Sequence, residues 1–372
     1  MAIDPIQISC FDSFANARAD AAGALDDGAQ PSPFDRLGWF EALHASAFPG
    51  DTPCILRARN GDARAWLFLS RPARGVPSGI ANWYSFAFRP QFSGVADRDG
   101  RLALLTAIAA ELRGMSARMR FYPIVDGDPE SGAVVAEAFR QAGWHVIPRT
   151  MARKRLLSLS PGTSFADYWA ARPGPLRSTL RRKSQHHPLD IAIHRDVTDA
   201  LWSALEAVFG ASWKPEGDDF AFLRRFAESE AFAGRLRLGL ACVDGQPAAV
   251  ELWTIEQGRA YIHKLAFDER FAESSPGTQL SHAMFAHAID VDKASLIDFG
   301  TGDNDYKAAW MPDAVPMRRL DAFDLRSPAS WGPAFMTWLS SLSQPAEGAA
   351  GGKGKTHGGR RAALRAAGRI RA

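Results

Sequence analysis

Cysteine is scarce: Cys10, Cys54 and Cys242 form an odd, widely separated set with no CxxC spacing. Such a pattern suggests neither a disulfide framework nor a cysteine zinc site, and it fits a reduced, cytoplasmic compartment. No uncharged apolar run approaches the roughly 20 residues that span a bilayer. The opening stretch holds Asp4, Asp12, Asp20, Asp26 and Asp27, with no basic start leading into an apolar run, so it does not read as a signal peptide. His186 with His187, and His282 with His287, lack i,i+4 spacing and carboxylate company, so no metal is expected. Acidic residues are missing altogether from 348–372, which carries 7 of the chain's 44 Lys/Arg. The remainder has 37 basic against 41 acidic residues, so the body is mildly acidic and the formal +3 belongs to this segment. Rich in glycine and poor in bulky apolar side chains, 345–372 cannot bury enough surface to fold alone and reads as a disordered basic tail. A tail of this kind can contact nucleic acid or an anionic surface, with a solubilising terminus as the alternative.

Apolar material is plentiful. At 372 residues and 46% hydrophobic, the chain exceeds the roughly 250–300 residues at which single cores stop growing, so two units are expected. Apolar spacing predicts a helix over 34–47, and strands over 54–58 and 65–70 flank the turn Asn60-Gly61-Asp62. A third strand is expected over 83–88, then a helix over 101–112, a strand over 119–124, a helix over 134–141 stopped by Gly143, and a strand over 144–147. The second half repeats the order. Thr198 can cap a helix over 199–211, and a second helix runs over 220–228. Strands over 236–243 and 248–255 flank Asp244-Gly245, and a further strand covers 260–267. A helix over 278–289, a strand over 296–299, a short helix over 306–310 and a strand over 318–323 complete the unit. The chain is therefore expected to be α/β with mixed sheets, in two copies of one fold at 1–150 and 151–330.

The chemistry concentrates between Tyr261 and Trp310. A strand leads into Ser274-Ser275-Pro276-Gly277-Thr278, followed by an amphipathic helix with Leu280, Met284, Phe285 and Ile289 on one side. A helix opened by small residues presents unpaired backbone N–H groups and the positive end of its dipole, which suits a phosphate; simple capping by Ser275 or Thr278 is the alternative. Further on, the strand around Asp298 runs into a polar turn and a short helix bearing a phenol and an amine, Tyr306 and Lys307. Two adjacent parallel strands ending this way would form a cleft at their C-terminal ends. His263, on the strand before the loop, is a candidate base or a buried strand histidine; Glu251 and Asp303 are alternative bases. Arg177 and Arg181 would share a helix face and could meet an anion, or form a solvated charge run. Trp213-Lys214 could add an aromatic wall and a positive charge beside an acceptor.

Residues 177–323 resemble the CelD-type (BioF2-like) acetyltransferase group of the GNAT superfamily, related to the FemAB aminoacyltransferases. The resemblance lies in an ordered set: LRSTLRRK, Ser212-Trp213-Lys214, the Asp244-Gly245 hairpin, Tyr261 with FDERF, Ser275-Pro276-Gly277 with Leu280, and Asp298-Phe299-Gly300-x-Gly302 before Tyr306-Lys307-x-x-Trp310. It implies tandem GNAT-like domains; the N-terminal copy has Asp97-Arg98-Asp99-Gly100 at the matching helix start, where carboxylates would compete with a phosphate, so that copy is expected to be degenerate and non-catalytic or acceptor-binding. It further implies that Ser275, Gly277, Thr278 and Gln279 hold the pyrophosphate of an acyl-CoA, and that an acceptor attacks the thioester directly. Tyr306 would then be the acid for the departing thiolate, and Lys307 would support the donor as the FemAB YK pair does. The superfamily's loop carries two glycines as Q/RxxGxG/A, whereas this one has Gly277 alone.

The expected activity is transfer of an acetyl or longer acyl group to an amine or hydroxyl, on a small molecule or a saccharide or cell-envelope precursor, without a metal or a specific nucleic acid. Aminoacyl transfer from charged tRNA and an inactive GNAT-like scaffold are the competing readings.

Overall fold

In the computed structural model the described residues are 5–126, 128, 132–213 and 217–342. The first half runs β1 (Gln7–Phe11), α1 (Phe14–Ala21), α2 (Leu37–Ala47), β2 (Thr52–Asn60), β3 (Ala63–Arg71), β4 (Ser78–Gly79), β5 (Gln91–Ser93), α3 (Arg98–Met115), β6 (Arg118–Val125), α4 (Val134–Gln141) and β7 (His145–Ser158). The second half runs α5 (Phe165–Ala170), α6 (Gly174–His186), β8 (Asp190–His194), α7 (Asp199–Gly210), α8 (Phe220–Phe232), β9 (Leu236–Val243), β10 (Gln246–Glu256) and β11 (Arg259–Phe267). It continues through α9 (Pro276–Ala286), β12 (Leu296–Thr301), α10 (Asp305–Trp310), β13 (Asp313–Phe323) and α11 (Trp331–Leu342). The architecture is mixed α/β, and the order strand, two helices, antiparallel strands, helix, strand, helix, strand occurs twice.

Local chemistry sets many of the boundaries. Thr198 accepts from the Leu201 N–H at 3.3 Å and opens α7. Asp244 and Gly245 turn the β9–β10 hairpin with φ of 48° and 77°, a conformation asparagine, aspartate and glycine tolerate best. On β9, a side chain at Gly239 would start 2.7 Å from Met284 Sδ, so glycine here lets α9 lie close on the sheet.

The strands form one sheet in the order β1-β2-β3-β4-β6-β13-β7-β12-β11-β10-β9-β8, with β5 beside β3. The order is pseudo-symmetric, and its symmetry requires an exchange. Each copy contributes its last strand to the other: β13 pairs antiparallel with β6, β7 pairs antiparallel with β12, and β7 and β13 pair with each other along 11 registered positions. The boundary expected at residue 150 falls inside β7. On one face, α1, α2, α7 and α8 share a single core in which Phe34, Phe40, Trp66 and Phe68 meet Trp202, Phe222 and Tyr261. On the other face, α3 and α4 cover the first half, while α9, α10 and α5 cover the second.

Two segments depart from the sequence expectation. Residues 83–88 are a loop, buried from Tyr84 onward, instead of a strand, because Phe86 turns across to the second copy, its ring 5.2 Å from both Tyr261 and His263. The strand expected over 144–147 runs on to Ser158, because β12 and β13 offer it partners on both sides that are far away in sequence.

Lys154 of β7 is bonded at the centre of this sheet. Its Nζ lies 2.5 Å from Asp298 Oδ2 on β12 and donates to the Phe86 carbonyl at 2.9 Å, with both charged side chains almost fully buried. Removing one partner leaves the other charge buried and uncompensated, a loss of about 3–5 kcal/mol in comparable cases. Lys154→Ala is expected to lower the denaturant midpoint by a corresponding amount; a change below about 1 kcal/mol would show that water reaches the pair.

Candidate functional site

The site begins where two parallel strands part. β11 and β12 pair through Arg259, Ala260 and Tyr261 against Leu296, Ile297 and Asp298, and the pairing stops there. Beyond Tyr261, β11 stays bonded to β10, and among the described residues no strand pairs with its other edge. Within β11 the register slips, with Tyr261 and Ile262 opposite Thr254 and Trp253 but Lys264 opposite Leu252, so His263 is the extra residue of a β-bulge. On β12, Asp298 accepts from the Gly300 N–H at 2.9 Å, and Gly300 takes φ of 62°, turning the strand end away. Phe86 lies 3.4 Å from where a side chain at Gly300 would begin. The result is a fork bounded by the bulged half of β11, the end of β12, and the start of α9.

At one end of the fork, α9 opens at Ser275, which has φ of 50° and makes no side-chain cap. Gly277 has ordinary contact distance to Phe267, 3.5 Å from a built side-chain position, so the residue is not demanded by packing. Gln279 is buried and its amide donates to the carbonyls of Ser274 at 2.9 Å and His187 at 3.0 Å, tying α6 to the α9 start. Thr278 lies in the same first turn, its N–H bonded to the Ser275 carbonyl at 3.1 Å. At the equivalent helix of the first copy, α3, Asp97 caps its own N-terminus by accepting from Gly100 at 2.7 Å. A carboxylate already occupies that anion position.

Tyr306 reaches from α10 to α9. Its hydroxyl lies 2.7 Å from Ser281 Oγ and 3.3 Å from the Gly277 carbonyl, while Ser281 donates in a short bond to the buried carboxylate of Glu251, which also accepts from Trp253 Nε1 at 2.6 Å. Serine has one proton, and here it goes to Glu251, so the phenol donates to Ser281. Burial, with the Glu251 charge as the next cause, pushes Tyr306 well above the usual phenol range and keeps it protonated. Lys307, beside it, donates to the Phe299 and Thr301 carbonyls at 2.8 Å each, holding α10 to the end of β12.

The bulge places His263 and Lys264 on the opposite face. His263 Nε2 lies 2.8 Å from Thr254 Oγ1, with Phe34, Phe86 and Phe226 around the ring. Burial, and then the neighbouring Lys264 charge, pull its pKa down to about 3, which makes the ring neutral and only feebly basic near neutrality. Lys264 pairs with Asp218 and stacks 4.8 Å over the Tyr84 ring, and Tyr84 donates to Asp218 at 3.1 Å. Burial lowers the Lys264 pKa, partly offset by Asp218. This cluster joins the two copies and went unnoticed in the sequence, as did Ser281: Tyr84 and Asp218 are 134 positions apart, and no local pattern links them.

The other candidates lie around this frame. Asp303 is paired with Arg155 at 2.6 Å and Arg153 at 3.5 Å. Arg177 and Arg181 are exposed on α6, and among the described residues neither pairs with a carboxylate. Trp213 is 61% exposed at the end of the loop after α7, and Lys214 lies outside the described residues, as does 345–372.

Comparison with known proteins gives this geometry a context. Residues 175–308 match the family described as acetyltransferase (GNAT) domain. The C-terminal domain of a protein described as a lysylphosphatidylglycerol synthetase, from Agrobacterium fabrum, superposes with a TM-score of 0.54 at 16% identity over 88% of this chain and 96% of that one. FemX superposes with a TM-score of 0.53 at 10% identity over 83% of this chain and 96% of that one. A conserved protein of unknown function from Bacteroides thetaiotaomicron follows at 0.51, 11% identity, 85% and 100%. At these identities the likeness is one of fold. No curated protein matches the sequence.

The depressed His263 pKa carries a sign. The unfolded chain binds a proton at this ring below about 6.5 and the folded chain does so only near 3, so this contribution to stability is present above about 6.5 and is lost as pH falls toward 3. His263→Gln is expected to flatten the acid limb of stability against pH, measured by denaturant titration from pH 7 to pH 4. An acid limb identical to that of the unaltered protein would show that the ring is protonated freely in the folded state.

Proposed function

We propose that this chain, whose residues 175–308 match the acetyltransferase (GNAT) domain family, moves an acyl group from a coenzyme A thioester to an amine or hydroxyl acceptor. The observation that carries the proposal is the fork: β11 leaves β12 after Tyr261, bulges at His263, and leads to an α9 start with no side-chain cap. An extended pantetheine arm suits an open strand edge, which offers backbone N–H and C=O groups. A pyrophosphate suits the helix start, where N–H groups and the dipole favour negative charge. In this reading Ser275, Gly277 and Thr278 line the phosphate end, and Gln279 holds the loop in shape through its two carbonyl bonds.

The chemistry follows from the same frame. The acceptor nitrogen or oxygen bonds to the thioester carbonyl carbon and gives up a proton, the carbon–sulfur bond breaks, and the departing thiolate takes a proton. Tyr306 is protonated and in the resting site turns its O–H to Ser281 Oγ, which Glu251 holds in turn; swinging that O–H from Ser281 to the departing sulfur supplies the hydrogen bond. Lys307 fixes the end of β12 and so the width of the fork. His263, neutral and ringed by aromatics, serves as a wall, and the acceptor's proton leaves through water or the Asp218–Lys264–Tyr84 cluster. That cluster, with Trp213 at the end of the loop after α7, marks the acceptor side; a saccharide or envelope precursor fits its mixture of aromatic and polar groups. The first copy, whose α3 start is closed by Asp97, supports the acceptor side and takes no donor.

Aminoacyl transfer from charged tRNA is the second reading, favoured by Arg177 and Arg181, exposed and without a carboxylate partner among the described residues, on a helix that packs against α9. The two donors separate in one titration. Calorimetry with acetyl-CoA is expected to give one site per chain, weakened at least about tenfold by Gly277→Glu, whose side chain has room but brings negative charge beside the pyrophosphate. Absence of acetyl-CoA binding, with transfer from an aminoacyl-tRNA instead, would replace the proposal with the second reading. Tyr306→Phe is expected to lower kcat by about 10- to 100-fold while leaving the donor KM nearly unchanged. An unchanged kcat would remove the phenol from the mechanism.

A further inference from the structure

α11 packs on the protein with its small side chains and turns its large apolar ones outward. Ala334 is its buried residue, seated against Ile147 and Phe323, and Ser340 accepts from Arg149 at 2.9 Å. Trp331, Phe335, Trp338, Leu339 and Leu342 are 58%, 58%, 46%, 47% and 62% exposed. Their spacing of four, three, one and three residues gathers them into one stripe, about 100° wide at 3.6 residues per turn. A surface helix of a water-soluble protein normally turns such a stripe inward. Immediately after Leu342 comes 343–372, with 7 Lys/Arg against the single acidic residue Glu347.

We infer that the exposed apolar face of α11 is a docking surface for a bilayer bearing anionic headgroups, an occupant for which the basic sequence following the helix argues. The two parts supply the two signals that reversible membrane attachment requires, an apolar face that enters the interface and a cluster of positive charge that concentrates the protein near it. Two tryptophans within the stripe match the preference of that side chain for the boundary between headgroups and acyl chains. At 12 residues, the helix lies along the surface and is too short to cross it. The basic segment is itself a poor cover for the stripe, since Leu364 and Ile370 are its only large aliphatic side chains. A nucleic acid would match the charge and leave Phe335, Leu339 and Leu342 in water. The surface is separate from the fork, so the inference does not depend on the acyl donor.

Flotation of the full chain with vesicles tests it. Vesicles of phosphatidylcholine mixed with phosphatidylglycerol are expected to carry the protein at low salt and to release it at high salt, and vesicles of phosphatidylcholine alone to carry at least about tenfold less. Phe335→Ser combined with Leu339→Ser removes exposed side chains and should lower binding about tenfold or more with an unchanged circular dichroism spectrum. Replacing Lys353, Lys355, Arg360 and Arg361 by Gln should abolish the preference for the anionic vesicles. Failure to float with the anionic vesicles would overturn the inference. So would flotation indifferent to the Ser substitutions, or a dimer in sedimentation equilibrium that those substitutions dissolve, which would assign the stripe to a second copy of the chain.

Discussion

The pairing of β7 with β13 is the constraint on which the rest of the structure depends. Each strand ends one copy of the fold and completes the sheet of the other, so neither half closes its own sheet. The exchange places Lys154, a residue of the first copy's last strand, against Asp298, the last residue of β12 that still pairs with β11. A buried ion pair of this kind adds less to net stability than its Coulomb attraction suggests, because both charges must leave water. Its geometric consequence is larger. Asp298 is held from one side by Lys154 and accepts the Gly300 N–H on the other, so the backbone turns out of the sheet where the fork opens. Phe86, whose carbonyl also binds Lys154, packs against Gly300 and the bulged strand. The first copy thereby shapes the cleft of the second.

The two copies share a fold and differ at one helix end. α3 begins with Asp97 accepting from its own first turn, and α9 begins with Ser275 in a left-handed conformation and no side-chain acceptor. Helix dipoles point the same way in both, so what separates an anion site from a closed end is which group fills it. The proposed division of labour follows from that difference: one copy keeps an open fork, and the other lends it a strand, the Phe86 loop and Tyr84.

Much of this was legible in the sequence because it rests on short-range signals. Thr198, the Asp244-Gly245 turn and the apolar spacing of α4 and α9 each act within a few residues, and the elements they define lie close to where they were expected. Tyr306 and Gly277 could be singled out for the same reason, and they meet at 3.3 Å across α10 and α9. What escaped notice depends on distant partners. Residues 83–88 form an apolar run that reads as a strand, yet Phe86 turns across to pack on Tyr261 and His263. Ser281 looked like one small residue on an amphipathic helix until Glu251 and Tyr306 converged on it. His263 has an ordinary imidazole in the sequence, and the three phenyl rings that make it a weak base come from three different elements. The bulge that turns it inward is a property of register between β10 and β11, which composition does not encode.

The central claim is that the fork between β11 and β12, with the α9 start at its end, receives an acyl-CoA. Hydrogen–deuterium exchange with and without acetyl-CoA reads the location of binding directly. The account predicts slowed exchange over 262–268 and 276–281, with the α3 start unchanged. Protection confined to the α3 start, or spread over the first copy with the fork unaffected, would contradict it.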